Sequence, residues 1–203
     1  MDTWVSRVPS TAASQGNASL RPVYKTNTQG GQPSILFNGA RNNTAQYFDH
    51  PVSINGNSNQ TIIIIAKVLN TLNGQIFGAS LALTPILLNY SINAIWSTIN
   101  STTSVISSTI SISDSYKIMT IVRGSGLQLI TNGAINYSSG SFAAYNGDNN
   151  NRRTIGGYTN GLNTVDGFNG NISMIYAFNV NLTDSLRKRA EQSMAFSFKI
   201  VYS

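Results

Sequence analysis

Along residues 171–180, apolar and polar side chains change places at almost every step. Ile172, Met174, Tyr176, Phe178 and Val180 alternate with Asn171, Ser173, Ala177 and Asn179, a period of two that turns one face of a β-strand toward a core. Ile175 alone breaks the pattern. The period then lengthens, with Leu186, Ala190 and Met194 at every fourth position, one face of a helix. Thr183 stands where an N-cap belongs, and Asp184 follows in the first turn, where a carboxylate suits the helix dipole. The spacing predicts a helix over 183–195 that can lie back on the fold.

Upstream, residues 1–32 show no lasting period. Pro9, Gly16, Pro22, Gly30 and Gly31 punctuate a Ser/Thr/Asn/Gln-rich segment, which reads as an irregular lead-in. Short runs rich in Ile, Val, Leu and aromatic residues follow: Ser34–Phe37, Tyr47–Ile54, Thr61–Leu69, Gln75–Gly78, Leu81–Tyr90, Ile92–Trp96, Val105–Ile112 and Tyr116–Val122. Each is bounded by Gly, Asn, Ser or Asp and reads as a strand. Thr61–Leu69 holds four consecutive isoleucines, so it is expected to be central and buried on both faces. Asn-Gly pairs begin at Asn38, Asn55, Asn73, Asn132, Asn146, Asn160 and Asn169, and Asp166-Gly167 is related. Such pairs suit tight turns with positive φ, hence antiparallel neighbours. Leu127–Tyr137 around Asn132-Gly133 is the clearest hairpin. The expected fold is all-β, a two-sheet antiparallel sandwich with one short C-terminal helix.

Composition narrows the picture. A chain of 203 residues, 41% hydrophobic with a mean hydropathy of -0.06, can bury one sizeable core, and we read 1–203 as a single domain. Charged residues make up only 10%, against the usual ~25%, so Asn, Ser, Thr and Gly must carry solubility. Cysteine is absent, which excludes disulfides and thiolate metal sites. The net charge is +6, but the bases are scattered, with clusters only at Arg152-Arg153 and Arg187-Lys188-Arg189. The latter reads as a solvated helix face, and no specific nucleic-acid partner is expected. The longest apolar run, Ile62–Ala66, is far too short to cross a bilayer, and no signal-peptide core opens the chain. Membrane insertion is not expected.

The order of Pro33–Gly39, Tyr116–Arg123, Ile130–Gly133, Thr154–Gly157, Phe168–Ser173 and Leu182-Thr183-Asp184 resembles the concanavalin A-like lectin/glucanase superfamily, specifically its laminin-G-like modules. The resemblance runs from about Trp4 to the end of the helix. It implies a jelly-roll sandwich and a binding or adhesion role at an extracellular, cell or virion surface.

Catalysis finds little support in the residues. Relatives of this fold that cleave glucans carry a Glu-x-Asp-x-x-Glu strand, because glycoside hydrolysis needs two carboxyl groups. Here Glu191 is the single glutamate, and Asp2, Asp49, Asp114, Asp148, Asp166 and Asp184 are dispersed; only a meeting in space, such as Asp148 with Asp166, would supply a pair. His50, beside Asp49, reads as structural, and Trp4 and Trp96 as packing residues.

Sugar recognition draws on other groups: planar amides and carboxylates for vicinal hydroxyls, with a ring as platform. Tyr145, Asp148, Asn150, Asn151 and Arg152 supply them in one loop, and Tyr158 and Asn160 in a second, while turn-forming Asn and Gly account equally for these stretches. Some laminin-G-like modules hold Ca²⁺, for which Asp148, Asn150 and Asp166 are candidates on loops. The leading expectation is a non-catalytic binding module for a glycan or cell-surface receptor within a larger protein assembly. The alternative is a structural capsid- or fibre-associated sandwich making protein–protein contacts, including homo-oligomers.

Overall fold

A computed structural model describes residues 1, 3–5, 12–40, 44–50, 59–69, 74–79, 89–90, 95–99, 105–112, 115–140, 153–159 and 164–203. In chain order the strands are β1 (Thr3–Val5), β2 (Ala12–Ser14), β3 (Val23–Gln29), β4 (Gln32–Asn38), β5 (Phe48–Asp49), β6 (Gln60–Val68), β7 (Gly74–Gln75), β8 (Phe77–Ala79) and β9 (Asn89–Tyr90). There follow β10 (Ile95–Ile99), β11 (Val105–Ser111), β12 (Lys117–Arg123), β13 (Leu127–Thr131), β14 (Ala134–Ser139), β15 (Arg153–Ile155), β16 (Gly157–Thr159), β17 (Thr164–Gly167) and β18 (Asn169–Phe178). One helix, α1 (Asp184–Phe198), comes after them.

The isoleucine run explains the architecture. β6 lies in a seven-stranded sheet, ordered β14-β13-β12-β6-β18-β4-β3, with β12 and β18 antiparallel on its two sides. Ile62 and Ile64 point inward with Met119, Ile121, Leu129, Ile35 and Phe37. They meet Phe48, Phe77 and Ile155 of a second layer, built from the sheets β1-β2-β5-β15-β8 and β11-β10-β9-β7. Ile63 and Ile65 point outward and pack with Tyr116 and Ile118 under Met194, Ala195 and Phe198 of α1. Full burial of one such side chain is worth roughly 1.5–3 kcal/mol, so β6 anchors both interfaces. The result is a two-layer antiparallel jelly-roll sandwich with a helix on its outer face.

Several sequence expectations need correcting. The described part of 1–32 is not irregular: β1 pairs with β2, β2 reaches β5, and β3 pairs with β4. A 3-10 turn at Ala18–Leu20 is capped by the Asn17 side chain, which accepts from the Ser19 amide. Asn169-Gly170 and Asp166-Gly167 are not turns but lie within β18 and β17. Asn132-Gly133 does form the hairpin turn, with φ of 49° and 92°, as the two-residue type with positive φ at both positions requires.

The alternation in β18 also resolves differently. A register shift between Ile172 and Met174 inserts a β-bulge, which reverses the facing of all that follows. Ile172 and Ile175 therefore pack in the core between the layers, whereas Met174, Tyr176 and Phe178 face α1. Ile175 looks like an exception only when the strand is read without the bulge.

The helix runs three residues beyond the expected 195, to Phe198. Thr183 caps it, its side chain accepting from the Leu186 amide at 3.4 Å. The buried face is Arg187, Glu191, Met194, Ala195 and Phe198; Leu186 is 52% exposed. The expected apolar face is thus rotated by one position, and Arg187 is not solvated.

Candidate functional site

Of the residues singled out for sugar binding, Tyr145, Asp148, Asn150, Asn151, Arg152 and Asn160 lie outside the described residues. The segment between their two loops is described. β15 pairs with β5 and β8, placing Thr154 opposite both Asp49 and Gly78. The chain then bends at Gly156, whose φ is +85°. Its amide donates to the Ile76 carbonyl at 2.9 Å, and its carbonyl accepts from the Phe168 amide at 2.8 Å. The Phe37 ring fills the space a Cβ would need, so both conformation and packing demand glycine here. Beyond the bend, β16 pairs with β17, which brings Tyr158 and Asp166 onto one two-stranded ribbon. Asp166 is a strand residue, not a loop residue. The two loops leave from opposite ends of Arg153–Thr159.

His50 is 7% exposed and stacked on Phe77, ring centroids 4.7 Å apart and planes 15° from parallel. This is packing within the core. Trp4 likewise packs against the core, 6.3 Å from the Phe48 ring. Among the described residues no group of three His, Cys, Asp or Glu is placed to hold a metal ion.

The polar chemistry concentrates elsewhere, beneath and beside α1. Arg187 Nη1 donates to Glu191 Oε2 at 2.7 Å, and neither residue is exposed. Thr120 Oγ1, on the sheet, donates to Glu191 Oε1 at 2.6 Å, and the Tyr202 hydroxyl donates to Oε2 at 2.7 Å. Asp184 Oδ1 stands 3.6 Å from Arg187 Nη2. A buried carboxylate must be paired and hydrogen-bonded to avoid a desolvation penalty of several kcal/mol, and Glu191 meets that condition. Burial, and then the bond to Glu191, raise the Tyr202 phenol above its ordinary pKa. The single glutamate is therefore committed to holding helix, sheet and tail together.

That network fixes one wall of an open groove. Ser203, beyond Tyr202, donates from its amide to the Asn132 carbonyl at 2.8 Å. On the other side Gln29 Nε2 donates to the Phe198 carbonyl at 2.9 Å, and a Cβ on Gly30 would stand 2.8 Å from the carbon of that carbonyl. The β3–β4 turn is thus seated against the end of the helix. Between turn, helix and tail lies a groove of about 760 Å³, lined among others by Gln32, Gln192, Phe196, Ser197, Lys199 and Tyr202. Phe196 is 88% exposed. Lys199 caps the helix in the left-handed region, φ 51°, where glycine is the usual occupant and another residue costs roughly 1–2 kcal/mol. Sequence reasoning did not single out this groove. Its one available signal was the Arg187…Glu191 spacing of four, the interval at which helix side chains meet.

No protein-family model and no curated protein matches the sequence. Solved structures do match its fold. The sialidase of Trypanosoma rangeli, in complex with sialic acid, is 14% identical with a TM-score of 0.70, over 97% of this chain and 32% of that one. Botulinum neurotoxin type C, which enters cells through interaction with two ganglioside molecules, is 10% identical with a TM-score of 0.60, over 96% of this chain and 51% of that one. A Bacteroides ovatus protein assigned to carbohydrate binding is 14% identical with a TM-score of 0.57, over 76% and 46%. The chain spans about a third to a half of the length of these proteins. At such identities the likeness establishes the fold alone, a β-sandwich.

Proposed function

We propose that the chain is a non-catalytic, laminin-G-like carbohydrate-binding module, a single domain displayed at a cell or virion surface as part of a larger assembly. The observation that carries this reading is the fold likeness, over 76% to 97% of the chain, to structures whose names include sialic acid, gangliosides and carbohydrate binding. Fold alone does not fix function, and the residues add to it. Glu191 is buried in an ion pair, which leaves no glutamate for the acid and nucleophile pair of a glycosidase. We place the sugar site on the two loops flanking Arg153–Thr159, with Tyr158 as platform, Asp148 among the polar groups, and Ca²⁺ at Asp148, Asn150 and Asp166. Binding to a glycan array, with calcium and again with chelator, tests the reading. Tyr158→Ala and Asp148→Ala should weaken binding without lowering the melting temperature.

One observation favours the structural reading as a second. β3 is an edge strand of the seven-stranded sheet, and Val23 and Tyr24 on it are 45% and 50% exposed. An edge with no further strand among the described residues and with exposed apolar side chains is a template for another chain, so this reading predicts self-association in light scattering.

A further inference from the structure

We propose that the groove between the end of α1, the tail from Lys199 to Tyr202 and the β3–β4 turn is a second carbohydrate site, and that it takes a carboxylated sugar residue. This assignment rests on the reading of the chain as a carbohydrate-binding module. It lies on the outer, helix-bearing side of the seven-stranded sheet, whereas Arg153–Ile155 belongs to the other layer.

The lining supplies three complementary kinds of contact. Phe196 presents an exposed ring among polar helix neighbours, Gln192, Ser193 and Ser197, so it serves neither core cluster. A ring in that position offers an apolar platform to the C–H face of a pyranose. Gln32 and Gln192 line the same groove, and a primary amide both donates and accepts, as vicinal hydroxyls require. Lys199 is the cation of the lining, and no carboxylate stands among the lining residues. The nearest acid along the helix, Glu191, is saturated by Arg187, Thr120 and Tyr202. The groove therefore favours a sugar that carries its own carboxylate.

The walls are also pre-organised. Gln29, Tyr202 and Ser203 hold turn and tail in place through the hydrogen bonds to Phe198, Glu191 and Asn132, which reduces the ordering cost of binding. Lys199 sits where the backbone would prefer glycine, so the lysine stands there at a local conformational cost.

That feature makes the test clean, because Lys199→Gly removes the cation without harming the fold. Affinities would be measured by glycan array and titration for sialylated and uronic-acid-terminated oligosaccharides and for their neutral counterparts. The expected result is a preference for the carboxylated forms. Lys199→Gly lowers affinity for those at least tenfold and leaves the neutral ones unchanged. Phe196→Ala lowers both, and both variants melt at or above the parent temperature. A parent that binds glycans without preferring the carboxylated forms, or variants that keep parent affinity, would overturn the groove assignment and leave the carbohydrate reading standing. A parent that binds no glycan would overturn both.

Discussion

Arg187 and Glu191 form a 2.7 Å ion pair one turn apart on α1, and both are completely buried against the sheet. Removing one member of such a pair leaves an uncompensated buried charge, at a cost of about 3–5 kcal/mol. Arg187→Ala or Glu191→Ala should therefore lower the urea-unfolding free energy by that amount. The double change to methionine should recover a large part of it, since two apolar side chains leave no stranded charge. Single variants within about 1 kcal/mol of the parent, the range of an exposed pair, would contradict the burial.

Tyr202 adds a pH dependence. An unfolded tyrosine loses its proton near pH 10, while burial and the bond to Glu191 hold the folded phenol protonated above that. With the folded pKa raised, the stabilisation is complete below the unfolded value and is lost as pH rises toward the folded one. The melting-temperature gap between parent and Tyr202→Phe should be constant from neutral pH to about 10 and narrow above it. A gap that widens there would contradict the assignment.

Gly156 carries positive φ and has the Phe37 ring where a side chain would go. Gly156→Ala combines a backbone penalty with overpacking, and should cost about 2–5 kcal/mol. Thermal melts of the variant would show it; a melting temperature equal to the parent's would mean that the bend is not held by this contact.

The bulge in β18 makes Ile175 a discriminating position. Read as simple alternation, Ile175 faces opposite to Ile172; in the fold both pack in the core between the layers. Ile175→Asn should cost about 1–3 kcal/mol, measured by denaturant unfolding, and a neutral substitution would restore the simpler reading.

These positions also mark how far the chain could be read from its residues. The central strand was legible because four isoleucines in a row need burial on both faces, and the hairpin because Asn132-Gly133 tolerates two positive φ angles. Thr183 declared the helix start by its cap chemistry. The bulge in β18 was not legible, since it depends on pairing with β6, more than a hundred residues earlier. The buried face of α1 was misread because charge is ordinarily turned to solvent. Glu191 can turn inward because Thr120 and Tyr202, at sequence separations of 71 and 11 from it, join Arg187 in hydrogen-bonding its carboxylate. The groove has no motif at all: Gln32 meets Gln192 and Lys199 only through the docking of a β-turn on a helix end.

The central claim is that this sandwich binds carbohydrate, and the direct measurement is a glycan-array screen of the 203-residue chain, with calcium and with chelator, beside light scattering for its oligomeric state. The account predicts saturable binding to one glycan class, with loss in chelator if Asp148, Asn150 and Asp166 hold calcium. A folded, self-associating chain that binds no glycan would contradict it and favour the structural role.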